Sequence, residues 1–420
     1  MISDLTHERA ALCAAYEANR RRTRFVYDLI APEAYYERPI PLRHPFIFYY
    51  GHIPSFSFTT LVRNALGEAP VDEDFETLFR RGIDPGSQAE AAGATRESWP
   101  THDRVRIFVD QCDARVRSAL QTATLEDPMN PALVGREAAH TIIEHEWMHQ
   151  ETLLYIVHRL AREKKRPLPT VHRDAERPAY RRIMIPAGTA TIGARRDEIT
   201  FGWDNEFEAT QTSVPEFEIE ADNVTNGDYL KFVIDGDGEP PPFWQRTDGE
   251  WRLATVFERI PLPLSWPVYV TLQQASQYAS WKGMHVPTEA EYHRAAFGTP
   301  QGTERSHPWG EEPPDPSRGN FGFQRFDPVS VGSYPAGASA WGVNDLVGNG
   351  WEWTSTPFAP LPGFRPMASY PVYSTDFFDD AHYVMKGASP VTHEGMVRRS
   401  FRNWFRADYP YVYATFRCAA

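Results

Sequence analysis

Apolar and polar positions follow two different rhythms along this chain. Up to about residue 165 they run in long stretches nearly free of helix breakers, and four of these predict helices near residues 3–31, 45–66, 101–124 and 131–165. The last opens at Asn130-Pro131, a cap followed by proline at the first helical position, and closes on the basic RLAREKK; only Gly135 interrupts it. Four long helices in succession predict an antiparallel bundle, whose interior can assemble a metal site from facing helices. From about residue 180 the rhythm changes to short apolar segments such as RRIMIPAGTATIG and PVYVTLQQASQYASWKG, punctuated by Pro, Gly and Asp. That pattern predicts an α+β domain with much loop, so the expected fold class is multidomain, α followed by α+β.

Composition sharpens the boundary. The first 165 residues hold 10 of the 36 prolines, 6 of the 27 glycines and 2 of the 12 tryptophans, so turns and large aromatics belong to the remainder. The proline-marked stretch KRPLPTVHRDAERP reads as a linker, which divides the chain into a bundle at 1–166, a linker at 167–180 and a second domain at 181–420.

A net charge of −13 argues against a nucleic-acid partner, because phosphate backbones are bound by clustered Lys and Arg. No stretch reaches the roughly 18–20 apolar residues of a membrane span, and MISDLTHERA lacks the basic start and apolar run of a secretory signal, so a cytoplasmic protein is expected. Cys13, Cys112 and Cys418 form no C-x-x-C pair and are expected to be free thiols.

The predicted fourth helix carries HEWMHQETLLY, residues 145–155. Residues four apart share a helix face, so His145 and His149 can hold one metal ion. In a zinc peptidase Glu146 would be the general base acting on a metal-bound water, with a third ligand from elsewhere. Neither the glycine nor the third histidine of the extended peptidase motif follows here. Glu151 is a poor ligand, because at about 100° per residue it lies roughly 160° around the axis from His149 and 120° from His145; a hydrogen-bonding role suits it better. His140 and His158 also lie off the shared face. The best third ligand is His52, in YYGHIPSF on the second predicted helix.

Taken together, FYYGHIP, RRGIDP at 80–85 and HEWMHQETLLY resemble the amino-terminal DinB-like four-helix bundle of the ergothioneine-biosynthesis sulfoxide synthases, the hercynine oxygenases. MIPAGTATIG, VPTEAEYHRAAF, GVNDLVGNGWEWT and SFRNW resemble the formylglycine-generating-enzyme-like, C-type-lectin-related domain that follows that bundle in the family. Formylglycine-generating enzymes themselves hold copper with two cysteines, and this half contains only Cys418.

The resemblance implies a non-haem Fe(II) ion on His52, His145 and His149, and a reaction that joins the sulfur of a thiol to C2 of the imidazole of hercynine with O2. It implies a tyrosine as acid, matched first by Tyr370 and second by Tyr373, and a hercynine pocket that includes Asn403 and Trp404. In the branch that uses γ-glutamylcysteine an aspartate follows this Asn-Trp pair; here Phe405 does, which points to free cysteine as donor, with Arg80 or Arg81 on its carboxylate. The GNGWEWT motif reads as a packed turn. Relatives that use other partners, including a selenosugar as donor to hercynine or histidine itself as acceptor in the ovothiol route, are the alternatives within the same chemistry.

Overall fold

The computed structural model describes residues 2–80 and 99–420. The chain forms two compact units: Met1–Leu168 together with Met367–Pro371, and Pro169–Pro366 together with Val372–Ala420.

The first unit is helical. Its elements are α1 (Ile2–Asp28), α2 (Phe46–Ser57), the short α3 (Glu73–Leu78), α4 (His102–Thr122) and α5 (Glu137–Arg159). Helices α1 and α2 each pack against both α4 and α5. On α4 the buried set Val105, Phe108, Val109, Cys112 and Val116 recurs at the three-and-four spacing of one helix face, which is what drives it into a bundle. Helix α2 is instead apolar nearly all round, and almost all of it is buried. Pro54 lies inside it with no N–H to give, and the chain continues from Phe58 to Ala65 as π-helix, a wider winding often found near functional sites.

Helix α5 begins at Glu137, several residues later than Asn130-Pro131 suggests. Gly135 (φ 62°) and Arg136 (φ 58°) both adopt the left-handed conformation, which a right-handed helix cannot pass through. Asn130 serves a turn instead, accepting from the Ala132 amide at 3.1 Å and donating to the Ala65 carbonyl at 2.8 Å. At the other end Leu160 is extended, so the helix stops at Arg159 and Arg162–Lys164 form a separate 3-10 turn.

The second unit is the α+β one. Strands β1 (Arg182–Ile185) and β4 (Phe217–Glu220) pair antiparallel, as do β2 (Gly188–Ile192) and β3 (Thr210–Val214), and β5 (Trp244–Thr247), β6 (Glu250–Ala254) and β7 (Arg259–Pro261) make a meander. The largest sheet has the order β10-β9-β8-β11, built from β8 (Gly350–Pro357), β9 (His382–Ala388), β10 (Asn403–Arg406) and β11 (Ala414–Thr415), the last parallel to β8. Helices α6 (Asn226–Ile234), α7 (Leu272–Trp281) and α8 (Glu289–Phe297) all start at a threonine. Thr225, Thr271 and Thr288 each accept from the amide three residues on at 3.2 Å, and the residue at that position reaches back to the threonine amide, a reciprocal cap that explains why VPTEAEYHRAAF turns helical where it does.

GNGWEWT bends at Gly348-Asn349 and then runs on as the buried start of strand β8, so the expected packed turn covers only its first residues. Asn349 takes φ 68°, accepts from the Val329 amide at 2.8 Å and donates to the Val329 carbonyl at 2.9 Å. Trp351 and Trp353 are buried, and Glu352 binds the buried Arg417 through two 2.7 Å hydrogen bonds. All three cysteines are free thiols, and among the described residues no helix is long and apolar enough to cross a membrane.

Candidate metal centre

His52 comes from α2, and His145 and His149 from successive turns of α5. Nε2 of His149 lies 3.1 Å from Nε2 of His52 and 3.1 Å from Nε2 of His145. One ligand atom from each residue falls within 4.8 Å of the others, and among the described residues these three are the group of His, Cys, Asp and Glu so arranged. Two imidazoles on one ion at about 2.1 Å stand roughly 3.0–3.4 Å apart, so the 3.1 Å spacings suit a shared cation.

The protonation pattern points the same way. Nδ1 of His52 is 2.7 Å from the carbonyl oxygen of Phe79, which can only accept, so Nδ1 carries the proton and Nε2 presents its lone pair. Nδ1 of His145 and of His149 have no hydrogen-bond partner. Burial pushes His52 down to about 4, and pushes His145 and His149 down as well, helped by repulsion among the rings. Neutral imidazoles with Nε2 of His149 in contact with Nε2 of both His52 and His145 are unfavourable by themselves; a metal ion among them satisfies all three, and the donor set fits one.

Local sequence explains the approach of α2. A Cβ on Gly51 would lie 2.5–2.6 Å from the ring of Phe79, so only glycine lets that ring lie against the helix beside His52. Phe48 and Phe56, four residues either side of His52, share its face: Phe48 stacks on His52 at 5.1 Å and 16°, and Phe56 on His145 at 3.5 Å and 13°. The spacing that pairs His145 with His149 also picks out these two rings, a signal the motif-based reading passes over.

Glu146 is fully buried and turned to α1, where its Oε1 accepts from Arg20 Nη1 and Thr23 Oγ1, both at 2.6 Å. Burial raises its pKa, and Arg20 and Thr23 oppose that rise. Glu151 accepts from Tyr155 on its own helix. His140 and His158 are half-buried.

Tyr370 belongs to the stretch Met367–Pro371 that is part of the helical unit. Its ring meets Phe56 edge-on at 5.0 Å and stands 6.3 Å from that of His145. Tyr373 is in the other unit, stacked on Trp203 at 3.9 Å and edge-on to Trp404 at 5.1 Å. Asn403, Trp404 and Phe405 are consecutive on β10, so Asn403 and Phe405 share one face and Trp404 the other. Trp404 stacks on Phe358 at 4.2 Å and 8°, and Phe405 on Tyr409 at 4.8 Å. Arg80 is exposed, and Arg81 lies outside the described residues.

Residues 168–420 match the sulfatase-modifying factor enzyme 1-like domain family, and residues 15–153 match the DinB superfamily. The chain is 31% identical over 397 residues to the hercynine oxygenase of Mycolicibacterium smegmatis, covering 88% of this chain and 89% of that protein. It is 32% identical over 381 residues to the hercynine oxygenase of Mycolicibacterium thermoresistibile, covering 81% and 83%. Against ergothioneine biosynthesis protein 1 of Neurospora crassa it is 28% identical over 487 residues, covering 92% of this chain and 55% of that longer protein.

Proposed function

This chain belongs to the hercynine oxygenase family, and from that premise we propose that it is an Fe(II)-dependent sulfoxide synthase of ergothioneine biosynthesis, joining the sulfur of cysteine to C2 of hercynine. One thiol, one hercynine and one O2 give one sulfoxide and one water; the carbon–sulfur bond replaces the S–H and C2–H bonds. The observation that carries the reading is the convergence of Nε2 of His52, His145 and His149.

Those three residues would hold the iron, which when bound supplies a cationic centre for a thiolate and the electrons that activate O2. Neutral imidazoles leave the ion's charge undiminished, which favours an anionic sulfur ligand. The enclosing rings of Phe48, Phe56 and Phe79 exclude water from one side of the ligand set. Tyr370 is the proposed acid: its phenol would give a proton at the oxygen derived from O2, and so favour coupling over the competing reaction in which thiol and O2 give only a sulfinic acid. Tyr373 is the second choice, and its packing against Trp203 suits a structural ring.

Asn403 and Trp404 are the proposed hercynine contacts. A trimethylammonium group cannot donate a hydrogen bond and is recognised through aromatic faces and oxygens. Free cysteine is the proposed donor, because Phe405 offers no carboxylate to the ammonium of a glutamyl arm; Arg80 or Arg81 would pair with the cysteine carboxylate. A hydrolytic zinc site is disfavoured by the engagement of Glu146 with Arg20 and Thr23.

The test is anaerobic reconstitution with Fe(II), followed by O2 uptake and product mass with hercynine plus cysteine or γ-glutamylcysteine. Uptake that needs both substrates and a product of the sulfoxide mass is expected. Zinc in the purified protein with peptide cleavage and no O2 uptake would overturn the assignment; a higher kcat/KM for γ-glutamylcysteine would move the donor and direct attention to Asp408.

A further inference from the structure

Helix α5 carries more than two ligands on one stripe. Glu137, Thr141, His145 and His149 follow one another at four-residue spacing, each about 6 Å further along the axis and only about 40° further round. The first two of these side chains hold Ser369, the residue before Tyr370. Glu137 Oε1 accepts from the Ser369 amide at 2.7 Å, and Thr141 Oγ1 lies 2.9 Å from Ser369 Oγ. Thr141 is fully buried, so its hydroxyl has a reason to be there only if it is hydrogen-bonded.

We infer that Glu137 and Thr141 are positioning residues that fix Tyr370 against the ligand set by clamping Ser369, so that one helix sets two of the three metal ligands and the proton donor in a common register. The inference rests on the reading of Tyr370 as the acid. Met367–Pro371 reaches the helical unit from a part of the chain about 200 residues away in sequence, and no regular element of that unit continues into it. An acid must sit within hydrogen-bond reach of the atom it protonates, and a displacement of about 1 Å can cost a hundredfold in rate. The charged Glu137–amide bond fixes the backbone of Ser369, and the Thr141–Ser369 pair fixes its rotation. Tyr370 is then left with its ring against Phe56, which itself stacks on His145.

Two measurements test this, one of them independent of turnover. In metal-free protein the double variant Thr141→Cys/Ser369→Cys, gently oxidised, should form a disulfide identifiable by peptide mass, because the two hydroxyls it replaces are in contact. A folded double variant that forms none overturns the clamp. In iron-loaded protein Thr141→Val and Ser369→Ala should keep iron content and hercynine KM within about twofold, while the ratio of coupled sulfoxide to sulfinic acid falls about tenfold or more. Thr141→Ser, which restores the hydroxyl, should return the ratio to that of the wild type. An unchanged ratio in Thr141→Val overturns the positioning role. Should the wild type give no coupled product, the functional reading fails on its own, and the disulfide still decides whether the clamp exists.

Discussion

Nδ1 of His52 donates to the carbonyl oxygen of Phe79 across 2.7 Å, and Gly51 beside it leaves room for the Phe79 ring. The bond selects the tautomer that points Nε2 at the other two histidines, so an alteration that moves Phe79 should be felt by the metal. Gly51→Ala forces a Cβ into that ring. We expect affinity for Fe(II) or a Co(II) substitute to fall about 10- to 100-fold by chelator competition, with the helical content largely kept. Wild-type affinity in that variant would mean that the carbonyl does not orient His52.

Glu146→Gln separates two chemistries that share a motif. It removes one charge from the buried Arg20–Glu146 pair, and Arg20 retains Asp113, so a loss of about 1–3 kcal/mol is expected, or roughly 3–8 °C in the melting temperature. Iron content and turnover per iron should stay within about threefold, whereas a peptidase would lose its base and nearly all activity. Abolished sulfoxide formation with full iron loading would count against the role assigned to Arg20 and Thr23 as its partners.

The two tyrosines should differ in kind. Tyr370→Phe keeps the ring on Phe56 and removes the phenol, so substrate affinity should survive while product shifts toward the sulfinic acid by about tenfold or more. Tyr373→Phe keeps the stack on Trp203 and should leave the product ratio unchanged. Quantifying both products from one reaction by mass spectrometry checks each; the reverse pattern would transfer the acid role to Tyr373.

A pH effect is expected in the second unit, away from iron chemistry. Burial lifts Asp345 to about 6, against an opposing hydrogen bond from the Gly332 amide at 2.6 Å. Its folded value lies above its unfolded one, so the folded state holds the proton more tightly. Stability is then lost as pH rises from about 4 to about 6, and the whole cost, about 2–3 kcal/mol at most, is present at neutral pH. Asp345→Asn, which also tolerates the φ of 51° at this position, should be more stable than wild type at pH 7.5 and converge with it near pH 4. Denaturation midpoints across that range decide it: a gap that widens toward low pH would show the sign to be wrong.

The long helices and the paired candidate ligands are legible because their signals are local. Breaker-poor stretches mark α1, α2, α4 and α5, and His145 and His149 need only the helix repeat to share a face. The start of α5 is less so, since Asn130-Pro131 looks like a cap and only the backbone at Gly135 and Arg136 shows that the helix cannot begin before Glu137. Least legible is MASYP. Nothing in its composition tells that Ser369 is held by Glu137 and Thr141, because that partnership is decided by chain closure over a long separation and not by any propensity of the segment. The residues proposed for the pocket on β10 show a third limit: Asn403, Trp404 and Phe405 look like one patch in the sequence, and strand alternation sends them to opposite faces.

Because Met367–Pro371 completes the helical unit, that unit cannot finish folding during synthesis when its last helix leaves the ribosome. Its three histidines are all on the nascent chain by residue 149, but Ser369 and Tyr370 follow roughly 200 residues later, about 10–40 s at ordinary elongation rates. Through that interval the growing protein has all three proposed ligands and lacks the proposed acid. Iron loaded then would sit in a site without the residue proposed to favour coupling, so the moment of metal delivery relative to translation bears on which product a newly made molecule forms first.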